Sequence, residues 1–144
     1  MFTSILCPID FSEHAERALG VAKRLAAVHG SHITLLHVIN PLLDAAARAA
    51  GSADAMTGQT QAELRALFLR VLPASGDPPM AVSVVTGAPA AAILAQAADS
   101  GADLIVMGMQ GLGGAERFIM GSTTSRVLEA TRVPVLAVPP GARP

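Results

Sequence analysis

The chain has 144 residues, the size of one domain, and its 51% apolar content is enough for a sizeable core. Trp and Tyr are absent and aromatics reach only 3%, so that core must be built from Ala, Val, Leu, Ile and Met. A net charge of −1 leaves no basic footprint for nucleic acid, and no apolar run approaches the roughly 20 residues that span a bilayer.

In chain order, Ser4 to Ile9 is a short apolar run that reads as a buried strand, which Pro8 should end because it cannot donate to a ladder. Asp10 and Ser12 are both candidate helix caps, and Asp10 with Glu13 would make a capping-box variant. From Glu13 to His29 the apolar residues Ala15, Ala18, Leu19, Ala22, Leu25 and Ala26 recur at helical spacing, with Gly30 as the stop. His32 to Val38 is a second buried strand, broken by Asn40-Pro41. Residues 42 to 60 read as a variable, Ala-rich loop with helical pieces. Gln61 to Leu72 is an amphipathic helix that turns Leu64, Leu67, Phe68, Val71 and Leu72 to the core.

Met80 to Thr86 is the third strand, ended by Gly87. Pro89 suits the first turn of a helix that continues from Ala90 to Ser100 and closes at Gly101. Asp103 to Gly108 is the fourth strand. After a glycine-rich span with Gly111, Gly113 and Gly114, the last helix runs from Gly121 to Thr131. Val133 to Val138 is the fifth strand, where Pro134 suits an edge or a strand start, and the PPGARP tail reads as unstructured. Strands alternate with helices, and the strands are continuously apolar. That is the pattern of a parallel sheet covered on both faces in one domain, residues 1–144.

Open parallel sheets bind ligands beyond the carboxyl ends of their strands. The first strand ends in Pro8, Ile9 and Asp10, the second in Val38, and the fourth in Met107 and Gly108. Asp10 can accept from a ribose hydroxyl or an adenine amino group, cap a helix, or do both. The Val38 peptide can pair with an adenine edge or simply end a strand. Gly108 and Gly111 would let backbone approach a ligand closely. Gly121, Ser122, Thr123 and Thr124 open a helix, where free amides and the macrodipole favour phosphate, although Ser122 also suits a plain cap. Neither a Walker P-loop nor a dinucleotide-binding glycine fingerprint is present.

No residue set argues for catalysis or for a resident metal. Glu116 and Arg117 lie near the glycines, but no pair of carboxylates stands ready to clamp a metal, and the four histidines lack a metal-ligand spacing. Cys7, the single cysteine, excludes an intramolecular disulfide and reads as a buried, inert thiol. His37, beside Val38, reads as a satisfied strand-end histidine. The N-terminal MFTSILCPIDFSE lacks the features of a secretory signal, so a cytoplasmic location is expected.

Taken together, these segments resemble the universal stress protein family. Gly108-Met-Gln-Gly111, nine residues, then Gly121-Ser122 satisfies the pattern G-x2-G-x9-G-[ST] of its nucleotide-binding members. ILCPIDFSEHAERAL, LLHVI and RVPVLAVP are similar to its other characteristic segments, so the resemblance covers the full chain in order. It implies a Rossmann-like α/β domain with an open sheet of five parallel strands in the order 3-2-1-4-5 and helices on both faces. It also implies ATP as ligand, with Mg²⁺ arriving on the phosphates. Asp10 and Val38 would contact adenosine, Met107 and Gly108 the ribose side, and Gly111, Gly121, Ser122 and Thr123 the phosphates. A homodimer through Val135 to Val138 and a nucleotide-dependent role in the stress response follow from the same resemblance. Met109-Gln110 departs from the polar or charged pairs of many relatives and bears on a ribose or phosphate contact. The alternatives are an interaction dimer that binds no nucleotide, and a slow ATP hydrolase.

Overall fold

The computed structural model describes residues 1–42, 45, 49, 62, 65, 66, 68–71, 73–110 and 119–141. Within them, strands β1 (Ser4–Pro8), β2 (His32–Ile39), β3 (Met80–Thr86), β4 (Leu104–Gly108) and β5 (Val135–Val138) form one sheet in the order β3-β2-β1-β4-β5. Every pairing is parallel. Helices α1 (Glu13–His29), α2 (Pro89–Asp99) and α3 (Ser122–Ala130) supply crossovers between them.

The continuous apolar strands are explained by the two faces of the sheet. Side chains alternate across a strand, so each of the central runs β1, β2 and β4 feeds two cores. Ile5, Cys7, Ile33, Leu35, Leu104 and Val106 pack on the α1 side with Ala15, Ala18, Ala22 and Ala26. Leu6, Leu36, Ile105 and Met107 pack on the other side with Ile93 and Ala97 of α2 and Val127 of α3. The alanine stripe of α1 keeps its apolar face flat, so the helix lies close on the strands. Gly30 stops α1 in the left-handed region, at φ 70°, where a side chain would be strained.

The structure chooses between the two candidate caps of α1 and moves two strand starts, each for a local reason. Ser12, not Asp10, caps α1: its side chain accepts from the Ala15 amide at 3.2 Å. Asp10 cannot form the capping box with Glu13, because its Oδ1 accepts from the Ser12 amide at 3.0 Å and from the Ser12 hydroxyl at 2.6 Å. β5 starts at Val135 rather than Val133. Thr131 Oγ1 closes a turn with Val133, and Pro134 contributes only its carbonyl, which accepts from the Ile105 amide. β4 starts after Asp103, whose carboxylate accepts from Thr3 and Ser4 instead and ties the bottoms of β1 and β4 together.

Of the helix expected over residues 61–72, the described residues 62, 65, 66 and 68–71 are helical, with Val71 buried and Phe68 half-buried. Leu64, Leu67 and Leu72 lie outside the described residues, as do most of 42–60 and the last three residues of the tail.

Candidate functional site

The carboxyl ends of β2, β1 and β4 lie side by side, with β1 in the middle. The sheet order brings the β1 end, carrying Asp10, between Val38 on one side and Gly108 on the other.

Asp10 leaves the sheet in a fixed turn. Its two bonds from Ser12 hold the carboxylate just beyond the carboxyl end of β1, and Ser12 in turn fixes the start of α1. Pro8 is half-buried, whereas Ile9 is buried and its amide donates to Leu36 O at 2.8 Å. This is the last described rung between β1 and β2. Peptide groups alternate sides along a strand. His32 and Leu36 bond toward β1, and Ile33 and Ile39 bond toward β3. The Val38 peptide therefore faces the β1 side, one step above that rung, where Asp10 turns away.

Gly108 has a role that sequence reasoning missed. A Cβ at this position would stand 2.9 Å from both the carbonyl carbon and the oxygen of His14, and 3.1 Å from its Cβ. The missing side chain thus admits the first turn of α1 onto the end of β4. The close approach at this position is therefore one of protein against protein. The Gly108 carbonyl accepts from the buried Thr124 hydroxyl at 2.9 Å, which ties β4 to the first turn of α3. Thr124 is thereby committed to the fold, and the buried Met107 side chain belongs to the core.

Gly121 is the N-cap of α3 and offers no side-chain cap, so the helix start is not closed by its own residue. Its amide instead donates to Met109 O at 2.7 Å, while the Met109 amide donates to Val138 O at 3.0 Å. Ser122 is exposed and Thr123 half-exposed. The Gln110 side chain is buried and donates to Ile119 O at 2.9 Å. The Met109-Gln110 pair therefore stitches together the two ends flanking 111–118 and is accounted for by structure. Gly111, with Gly113, Gly114, Glu116 and Arg117, lies outside the described residues.

One continuous path of contacts joins the two halves of the site. It runs from Asp10 through Ser12 and the first turn of α1 to Gly108, then through Thr124 to the α3 start. The capless α3 terminus fits an anion. The His14 ring, in the residue packed on Gly108, carries a buried Nδ1 without a hydrogen-bond partner among the described residues. The same residues offer no cluster of three metal-ligating side chains. Cys7 is fully buried, and that desolvation pushes its thiol up to about 12, so it stays protonated. At the opposite end of the sheet, burial of Asp103 works to raise its pKa. The bonds from the Thr3 amide and hydroxyl and from Ser4 outweigh this and hold it below the ordinary carboxylate range.

Comparison with known proteins gives the same fold over nearly the whole chain. The sequence model of the Universal stress protein family matches residues 1–139. A universal stress protein of Thermus aquaticus is 35% identical over 147 residues, covering 96% of this chain and 99% of its own. The solved structure of the Methanocaldococcus jannaschii protein MJ0577 superposes with a TM-score of 0.77 at 28% identity, covering 96% of each chain. A universal stress protein solved in complex with cAMP superposes at 0.67 with 26% identity, covering 95% of this chain and 96% of its own.

Proposed function

The chain belongs to the universal stress protein family, and we propose that it is an ATP-binding regulatory member that works as a homodimer in the cytoplasm. The observation that carries the reading is the Gly121–Thr123 start of α3. It presents helix amides without a side-chain cap, on the same rim of the sheet as the fixed Asp10 carboxylate. A helix N-terminus attracts phosphate through its free amides and its dipole. In this reading Gly121, Ser122 and Thr123 hold the phosphates, and any Mg²⁺ is carried mainly by phosphate oxygens and water. Asp10 accepts from the nucleoside and the Val38 peptide meets the adenine edge. Pro8, Ile9 and Met107 shape the floor from beneath, and Thr124 sets the helix start through Gly108. Gly111 completes the phosphate side. A relative at 26% identity holding cAMP supports an adenine nucleotide as the ligand class.

The expected dimer contact is β5, an edge strand without charged residues and with Leu136 exposed. Bound nucleotide would change what the surface around Met109 and Met120 offers to partners. Calorimetric titration with ATP tests the site directly. Ser122→Glu places a carboxylate where phosphate should sit, and Gly121→Val crowds the cap. Both should abolish binding in a folded protein. Unchanged ATP affinity in folded Ser122→Glu would remove the phosphate assignment.

A further inference from the structure

One side chain fastens the ends of β1 and β2 together above their last backbone rung. His37 Nδ1 lies 2.9 Å from Ile9 O. A carbonyl can only accept, so Nδ1 carries the proton and donates. The residue after Ile9 is Asp10, and the one after that is Phe11. Phe11 has φ 61°, and among the described residues it is the one non-glycine in the left-handed region. A bulky residue holds that conformation only when its surroundings enforce it. The enforcing contacts are visible: the Phe11 ring leans on the His37 ring at 5.0 Å and meets Phe68 edge-on at 5.4 Å. One imidazole therefore grips the carbonyl before Asp10 and the ring after it, and it immediately precedes Val38.

We infer that His37 is a positioning residue for the nucleoside half of the site. It sets the Asp10 carboxylate relative to the Val38 peptide and acts through them rather than on the ligand. This rests on the adenine-nucleotide reading above. A histidine that merely filled space would need only its bulk. A positioning histidine needs a donor at the Nδ1 position, and its effect must pass through Asp10.

Two polar substitutions separate these roles in the full chain. His37→Asn can keep an amide donor near Nδ1, whereas His37→Gln carries its amide out toward the Nε2 position. Calorimetry with ATP should show His37→Gln weakened about three- to tenfold, the worth of one hydrogen bond, and His37→Asn within about twofold of wild type. In an Asp10→Asn background the His37→Gln loss should shrink to about twofold or less, because the two residues then act as one coupled unit. Equal affinity in His37→Gln and wild type overturns the inference while leaving the nucleotide reading intact. So does an equal loss in Asn and Gln, or a full His37→Gln loss that persists without the Asp10 carboxylate. Should His37→Gln fail to fold, His37→Leu, which keeps comparable bulk but has no donor, must show the same loss and the same dependence on Asp10. A wild-type chain that binds no ATP overturns the nucleotide reading itself, and the inference with it.

Discussion

Gly108→Ala should destabilise the fold through a steric conflict that can be sized from the structure. The new methyl would lie 2.9 Å from His14 backbone carbon and oxygen, whereas carbon contacts are optimal near about 3.5–4.0 Å. Backbone atoms cannot rotate aside, so the end of β4 and the first turn of α1 must separate by roughly 0.5–1 Å. Gly108 is not at positive φ, so the cost is steric rather than conformational. Overpacking of this kind costs about 1–3 kcal/mol. At about 2–4 °C per kcal/mol for a domain near this size, the melting temperature should fall by roughly 2–12 °C. Gly87→Ala is the matched control: its added methyl meets only the Ala92 Cβ, at 3.9 Å, an ordinary contact. That variant should melt within a few degrees of wild type. Differential scanning calorimetry of the three proteins decides the matter. If Gly108→Ala melts with the control, the close approach of α1 is not what excludes a side chain there.

The neighbouring contacts make further predictions. Thr124→Val keeps the shape but strips the donor from the buried Gly108 carbonyl. Urea unfolding should show a loss of about 1–3 kcal/mol, with Thr124→Ser losing less. Asp103 has a depressed folded pKa, so its contribution is full above the unfolded value of about 4 and disappears as pH falls through the lower folded value. The stability gap between wild type and Asp103→Asn should therefore be flat near neutrality and close on acidification below that point. A gap that widened in acid would contradict the sign. For the proposed β5 dimer, Leu136→Lys places a charge on the open edge and should shift sedimentation toward the monomer while leaving the fold unchanged.

The fold was legible because its signals are local and agree with one another. The alanine and leucine spacing from Ala15 to Ala26, the stop at Gly30 and the Pro89 helix start need no knowledge of the third dimension. The central runs β1, β2 and β4 were readable for the same reason: burial on both faces leaves little room for polar alternation. What escaped the sequence depends on partners far along the chain. The packing of His14 against Gly108 cannot be read from a glycine at a strand end. The bond from the Gln110 amide to Ile119 O likewise depends on a partner nine residues away. Choosing Ser12 over Asp10 as the cap requires knowing that the Asp10 carboxylate folds back onto Ser12. His37 was visible as a histidine at a strand end, yet its hold on Ile9 and Phe11 arises only when β1 and β2 pair.

The central claim is that the rim formed by Asp10, Val38 and the Gly121–Thr123 helix start binds ATP. Isothermal titration of the purified, nucleotide-stripped chain with ATP and Mg²⁺ tests it most directly. The proposed function predicts saturable binding of one nucleotide per chain, lost in Ser122→Glu. Absence of saturable heat up to millimolar ATP, in protein shown to be folded, would contradict it.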